Sequence, residues 1–147
     1  MIYEEYYKKY RKFRSVKQEI NRLENKKVSL MGMADIKAIA PKDSDGTSSD
    51  KDRIGVYLGE LEEVEQNLIK QKHILKEIKN QLEEKEAELR DSHEVLDKVY
   101  LYKYIEKMKY YQIAIKTGYE KSSIYNFINQ ISKRLEIIIT LEKNGKI

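Results

Sequence analysis

Hydrogen-bonding side chains are concentrated in residues 110–134, which read YYQIAIKTGYEKSSIYNFINQISKR. If the second half of this stretch is helical, one of its faces carries Lys121, Ser122, Tyr125, Asn126, Asn129 and Lys133. Asn can make two hydrogen bonds to adenine in the major groove of duplex DNA, and Lys and Ser can bind phosphate or base edges. The pattern favours a DNA-binding face, although the solvent side of a small helical bundle would show the same spacing.

Apolar and small residues of the same stretch have the spacing of a helix-turn-helix. Ala114 is small enough for two helices to touch, and Gly118, four residues later, can adopt the left-handed backbone of a tight turn. The side chains expected to fill the crossing are Ile113, Ile124, Phe127 and Ile128. We therefore predict a helix-turn-helix domain over residues 92–147, in which a helix from Ser92 to about Met108 supports the motif.

Residues suited to catalysis or metal binding are few. The chain contains no cysteine and two isolated histidines, of which His73 has only Glu77 one helical turn away. Neither a glycine-rich phosphate loop nor a nucleophile motif is present. We expect no enzyme activity, no catalytic residues, no cofactor and no bound metal.

Location is indicated by composition and by the start of the sequence. Absence of cysteine fits a reducing compartment, and MIYEEYYKKY lacks the apolar core of a signal peptide. Apolar runs are too short to span a bilayer. We expect a cytoplasmic protein with no membrane partner.

Charge is distributed unevenly along the 147 residues, whose formal net charge is +4. Residues 1–30 carry nine basic and four acidic side chains, residues 31–52 three and five, residues 53–96 seven and eleven, and residues 97–147 ten and five. Basic ends are typical of proteins that contact phosphate, but they could equally pair with the acidic middle of the same molecule.

A heptad repeat dominates the middle of the chain. Its positions are Ile54, Leu61, Leu68, Leu75, Leu82, Leu89 and Leu96. The repeat predicts a coiled-coil helix over residues 53–91, about 60 Å long. Two partners are available: the amphipathic helix predicted over residues 1–30, folded back antiparallel across a flexible loop at 31–52, and the same helix of a second chain. The two pairings are compatible if hairpins dimerise. Because the heptads extend beyond what the shorter first helix could cover, we expect a homodimer.

These elements define an all-α fold, a long coiled-coil helical hairpin followed by a C-terminal helix-turn-helix domain. Six Gly and one Pro leave few helix breakers in the sequence. In a dimer, the coiled coil would set the separation of two helix-turn-helix heads on DNA half-sites.

The order of these parts resembles small phage and prophage transcriptional regulators, the ArpU-like and RinA-like proteins, which have a helix-turn-helix of the sigma-factor region-4 type. The resemblance covers Tyr100 to Leu135 and is carried by Ile113, Ala114, Gly118, Tyr119, Ser122, Ser123, Ile124 and Tyr125. It implies a sequence-specific DNA-binding regulator of phage or prophage genes, in the cytoplasm of a bacterial host. Double-stranded DNA is the implied partner, with activation through contact with RNA polymerase.

The resemblance also implies roles for individual residues. Lys121, Ser122, Tyr125, Asn126 and Asn129 would lie at the bases, and Lys116, Lys133 and Arg134 nearer phosphate. One departure is Glu120, which stands where such sequences often have a serine cap; Glu is a poor N-cap and repels phosphate. The alternative function is an interaction factor, an inhibitor or anti-defence protein, whose coiled coil binds another protein and whose helix-turn-helix is only scaffold.

Overall fold

The computed structural model describes residues 1–39 and 48–145, and every regular element in these two ranges is helical. The elements are α1 (Ile2–Ile39), α2 (Ser48–Asp91), α3 (Val95–Tyr100), a π-helical turn (Leu101–Ile105), α4 (Tyr110–Thr117) and α5 (Lys121–Lys143). The predicted all-α class is confirmed for this part of the chain.

The first two helices are longer than predicted. The flexible loop predicted at 31–52 differs from the structure at both ends, because α1 continues to Ile39 and α2 already begins at Ser48. Residues 31–39 are mostly Met, Ala, Ile and Lys, which favour helix, and this preference outweighs the single glycine among them. The remainder of the predicted loop, residues 40–47, lies outside the described residues.

The helices contribute to two compact units, one formed by Phe13–Glu77 and the other by Met1–Lys12 with Ile78–Ile147. In the unit of residues 13–77, α1 and α2 run antiparallel, since Lys27 pairs with Glu65 and Glu24 pairs with Lys72. Its buried cluster is Ile20, Leu23, Leu30, Val64 and Leu68, with Val16, Tyr57, Leu61 and Leu75 packed around it. Three of the heptad leucines therefore pack against α1 of the same chain.

The unit of residues 1–12 and 78–147 has a larger core built around α5. Along that helix the buried residues are Ile124, Ile128, Ile131, Leu135 and Ile138. Their spacing of three and four residues places one continuous apolar stripe toward the core. Facing side chains come from the other helices of this unit, among them Leu89, Val99 and Ile113, each 0% exposed.

The N-terminal end of α1 is attached to this core by a buried carboxylate. Asp97 is 1% exposed, and its two carboxylate oxygens accept the Tyr3 backbone N–H at 3.0 Å and the Ser92 hydroxyl at 2.9 Å. A carboxylate at a helix N-terminus satisfies a backbone N–H that has no partner within the helix, and it interacts favourably with the helix dipole. The Tyr3 ring also stacks on Tyr100, with ring centroids 5.5 Å apart.

The helix predicted from Ser92 to Met108 is interrupted. After α3 the backbone widens into a π-helical turn, in which the Glu106 N–H donates to the Leu101 carbonyl at 2.9 Å. Lys107 follows with a positive φ of 55° and redirects the chain toward α4. Because a π-helix advances more than four residues per turn, Tyr104 lies nearly above Tyr100, and their rings stack at 4.9 Å.

Candidate nucleic-acid interface

The connection between α4 and α5 has the geometry that its sequence predicts. Gly118 ends α4 with φ 79° and ψ 5°, in the left-handed region, and its N–H donates to the Ala114 carbonyl at 2.9 Å. The Thr117 hydroxyl donates to the Ile113 carbonyl at 2.7 Å. Glycine adopts this backbone without the steric penalty of a Cβ atom, so the prediction made for Gly118 is confirmed.

The crossing of α4 and α5 is filled from both helices. Ile113 and Ile124 are each 0% exposed, and Ile128 is 6% exposed. Phe127 is half-buried, and the Tyr119 ring meets it edge-on at 5.2 Å. The predicted inward positions are confirmed, with Phe127 at the rim of the crossing. This packing fixes the rotation of α5 about its own axis and decides which side chains face outward.

Four polar residues form a line on the outer face of α5, which we name the α5 polar stripe. They are Ser122, Asn126, Asn129 and Lys133, all exposed. Their spacing of four, three and four residues keeps them on one face, opposite the buried stripe of Ile124, Ile128 and Ile131. The stripe therefore presents hydroxyl, amide and ammonium groups together to solvent.

Aromatic stacking supports one flank of the stripe. Tyr125 is 43% exposed, and its ring centroid lies 4.4 Å from that of Tyr110. The Lys103 ammonium lies 4.5 Å from the centroid of the same Tyr110 ring. Sequence reasoning missed Lys103 and Tyr110, because they join Tyr125 only through the tertiary fold and no local spacing connects them. Cation–π contact holds the ammonium in place while leaving its charge available.

The remaining predicted site residues lie in different places. Lys121 is exposed in the first turn of α5. Lys116 is exposed on α4, with its ammonium 5.1 Å from the centroid of the Tyr102 ring. Arg134 lies on the far flank of α5, where its Nε donates to Glu4 at 2.8 Å. The fold thus brings six of the eight predicted residues together on α5, sets Lys116 apart on α4, and engages Arg134 with α1.

The charge of this region is strongly one-sided. Residues 98–135 contain eight basic and two acidic side chains, the acids being Glu106 and Glu120. Glu106 accepts a hydrogen bond from Arg90 at 2.7 Å, and this contact, together with that of Glu86, raises the pKa of the Arg90 guanidinium. Glu120 is the N-cap residue of α5 and makes no side-chain capping hydrogen bond, as expected for a poor cap. The surface around the stripe is therefore suited to an anionic partner.

Comparison with protein-family models, with curated proteins and with solved structures finds no match to this chain. Among the described helices, none is long and apolar enough to cross a membrane. Within residues 1–39 and 48–145, His, Cys, Asp and Glu side chains form no group of three or more that could hold a metal ion.

Proposed function

We propose that the protein is a sequence-specific DNA-binding regulator of phage or prophage genes, that α4 and α5 are its helix-turn-helix, and that it acts as a dimer. The observation that carries the proposal is the α5 polar stripe, which lies opposite a fully buried face inside a stretch of strongly positive charge. A solvated bundle face needs polar residues of any kind. This face offers two amides, a hydroxyl and an ammonium in line.

The dimensions of the stripe fit a major groove. From Ser122 to Lys133 it extends about 17 Å along the helix, which equals about five base pairs of duplex DNA. In this arrangement Asn126 and Asn129 read base edges, with adenine as the preferred contact of an Asn amide. Lys133 binds phosphate. Lys121, which the resemblance places at the bases, is exposed in the first turn of α5, and we assign it to phosphate as well. Tyr125, held by Tyr110, contributes its hydroxyl at the edge of the groove.

The coiled-coil hairpin belongs to the same proposal. Packing of Leu61, Leu68 and Leu75 against α1 supports pairing of the heptad helix within one chain. A dimer then cannot use these leucines and needs another surface. Contact with RNA polymerase at a promoter-proximal site completes the proposed mechanism, as the resemblance to the phage regulators implies.

A salt titration of DNA binding tests the proposal. We expect the Lys121→Glu/Lys133→Glu variant to lose the tight binding of the wild type to DNA upstream of its own gene. The slope of log K against log salt concentration should become shallower by about two, since each phosphate contact contributes about 0.9. The matched control is Lys76→Glu/Lys79→Glu, which changes net charge equally at two exposed lysines of α2. Equal weakening by both variants would show that only overall charge matters and would refute the proposed interface.

Base reading is tested separately from phosphate binding. Asn129→Ala should reduce the preference for upstream DNA over random duplex by about 1–3 kcal/mol while leaving the salt slope unchanged. If wild type and all variants bind both DNAs equally weakly, the helix-turn-helix is scaffold, and the interaction-factor alternative replaces the proposal.

A further inference from the structure

Two large apolar side chains are highly exposed in the unit formed by residues 13–77. Val28 of α1 is 69% exposed and Ile69 of α2 is 72% exposed. Single exposed apolar residues are ordinary on a protein surface, but these two share one face of the helix pair. Val28 lies one helical turn after Glu24, and Ile69 lies one turn from both Glu65 and Lys72, and these charged residues link α1 to α2.

The charges around these two residues form a regular frame. Glu24 pairs with Lys72 at 3.5 Å, and Lys27 pairs with Glu65 at 3.6 Å. Along α1 the frame therefore carries an acid and then a base, and along α2 at the same levels a base and then an acid. Positive and negative corners therefore alternate, with Ile69 between Glu65 and Lys72 on α2 and Val28 next to Lys27 on α1. We name the surface made by the four charged residues with Val28 and Ile69 the framed face.

Alternating corners make the framed face complementary to itself. If a second copy is turned about a two-fold axis parallel to the helices, each α1 lies on the partner's α2, and each acid meets a base at the same level. If the axis is perpendicular to the helices, each α1 lies on the partner's α1 in the opposite direction, and each acid again meets a base. Both arrangements that a two-fold axis permits between facing surfaces therefore match opposite charges.

We propose that the framed face is the dimer interface, occupied by the framed face of a second copy of this chain. The inference deepens the proposed function, because it rests on a dimer and names the surface that forms it. From Leu58 to Lys72 the face is about 21 Å long, and two helices each about 10 Å wide give it an area of about 420 Å² per copy. A dimer would thus bury about 850 Å² in total, which is the size of a weak, reversible interface. Met31 and Leu58, 45% and 51% exposed, extend the apolar area along α1 and α2.

The oligomeric mass of the full-length chain, measured by sedimentation without DNA, tests the interface. The wild type should be a dimer at micromolar concentration. Val28→Glu should raise the dissociation constant of the dimer at least about tenfold, since the substitution buries a charge without a partner in the interface. The matched control is Val56→Glu, the same substitution at a valine that is 57% exposed on α2. Val56 lies about 220° around the helix from Ile69, off the framed face, so this variant should remain a dimer.

Charge reversal provides a test of self-complementarity. The quadruple variant Glu24→Lys, Lys72→Glu, Lys27→Glu, Glu65→Lys preserves both pairs within the chain and inverts all four corners. It should dimerise with itself like the wild type but should not mix with it, because every corner then meets a like charge. In an equal mixture of wild type and variant, random pairing would make one half of all dimers mixed. Native mass spectrometry should find mixed dimers at about one tenth of that share.

Some outcomes would overturn the inference. Statistical mixing, or equal dimerisation by Val28→Glu and Val56→Glu, would place the dimer contact elsewhere. A monomeric wild type would reject the framed face as a self-interface and, with it, the dimer in the proposed function. None of these outcomes affects the proposed contact of α5 with DNA, which the Lys121 and Lys133 variants test by salt slope. Conversely, a dimer that uses the framed face and binds no DNA would reject the proposed function and leave the interface standing.

Discussion

Replacing Asp97 with alanine should destabilise the unit of residues 1–12 and 78–147 by about 3–7 kcal/mol. The carboxylate is 1% exposed and accepts two buried hydrogen bonds, from the Tyr3 N–H and the Ser92 hydroxyl. Hydrogen bonds to a charged group contribute about 1.5–3 kcal/mol each, and the charge at the start of α1 adds up to about 1 kcal/mol. Both donors remain buried after the substitution, so their lost solvation is not recovered.

Urea unfolding followed by circular dichroism measures this loss, and hydrogen exchange locates it at the Tyr3 amide, which should lose protection. Asp97→Asn should cost less, about 1–2 kcal/mol, because its carbonyl can still accept the Tyr3 N–H and the Ser92 hydroxyl can rotate to accept. Asp91→Ala removes an exposed acid at the end of α2 and serves as the control, within about 0.5 kcal/mol of wild type. A loss below about 1 kcal/mol for Asp97→Ala, or unchanged exchange at Tyr3, would refute the reasoning.

Two further predictions concern the backbone of the turn and the response to alkali. Gly118→Ala should lower the free energy of unfolding, measured by thermal unfolding, by about 1–2 kcal/mol. The cause is the positive φ of 79° alone, since no atom lies within 4 Å of the added Cβ. Gly59→Ala, equally uncrowded but inside helix α2, should instead raise the free energy of unfolding by about 0.5–1 kcal/mol. If both substitutions changed stability in the same direction, the turn geometry would be contradicted. Burial, followed by the nearby Glu4 charge, raises the pKa of Tyr3 from 10.0 to about 12, so the folded state favours the neutral phenol. The contribution of the neutral phenol to the free energy of unfolding is complete below pH 10. About 2–3 kcal/mol of it is lost as the pH rises from 10 to 12. Tyr3→Phe should abolish this loss, whereas Tyr111→Phe, at a half-exposed ring, should not.

The parts of the fold that follow a local period were predictable from the sequence. Ile124 and Ile128 are buried because a helical repeat of apolar residues can only face a core, and their burial in turn assigns Asn126 and Asn129 to solvent. Gly118 was predictable because few other residues tolerate its backbone. These two inferences place most of the candidate interface without any tertiary information.

Features that depend on distant contacts were not predictable in this way. Asp97 looks like an ordinary helix-surface acid in the sequence, and only the arrival of the α1 N-terminus makes its burial favourable. The π-helical turn has no signature in LYKYI, because it is stabilised by the stacking of Tyr104 on Tyr100 and by packing around it. Likewise Lys103 joins the candidate site through the Tyr110 ring, a contact made by folding. Sequence periodicity indicates which face is buried, not which partner it meets.

Arg134 shows how such a contact changes the interpretation of a candidate site residue. Its pair with Glu4 is partly exposed, with 48% of the Arg134 and 20% of the Glu4 side chain accessible. Exposed ion pairs contribute about 0–1 kcal/mol, whereas a phosphate contact on DNA releases counterions, so phosphate can compete for the guanidinium. We therefore expect Glu4→Gln to strengthen DNA binding and to steepen the salt slope by about one, as Arg134 becomes available to phosphate. Adding Arg134→Gln should cancel both effects. If Glu4→Gln alone leaves the slope unchanged, Arg134 is a structural residue of the α1–α5 contact and not part of the DNA interface.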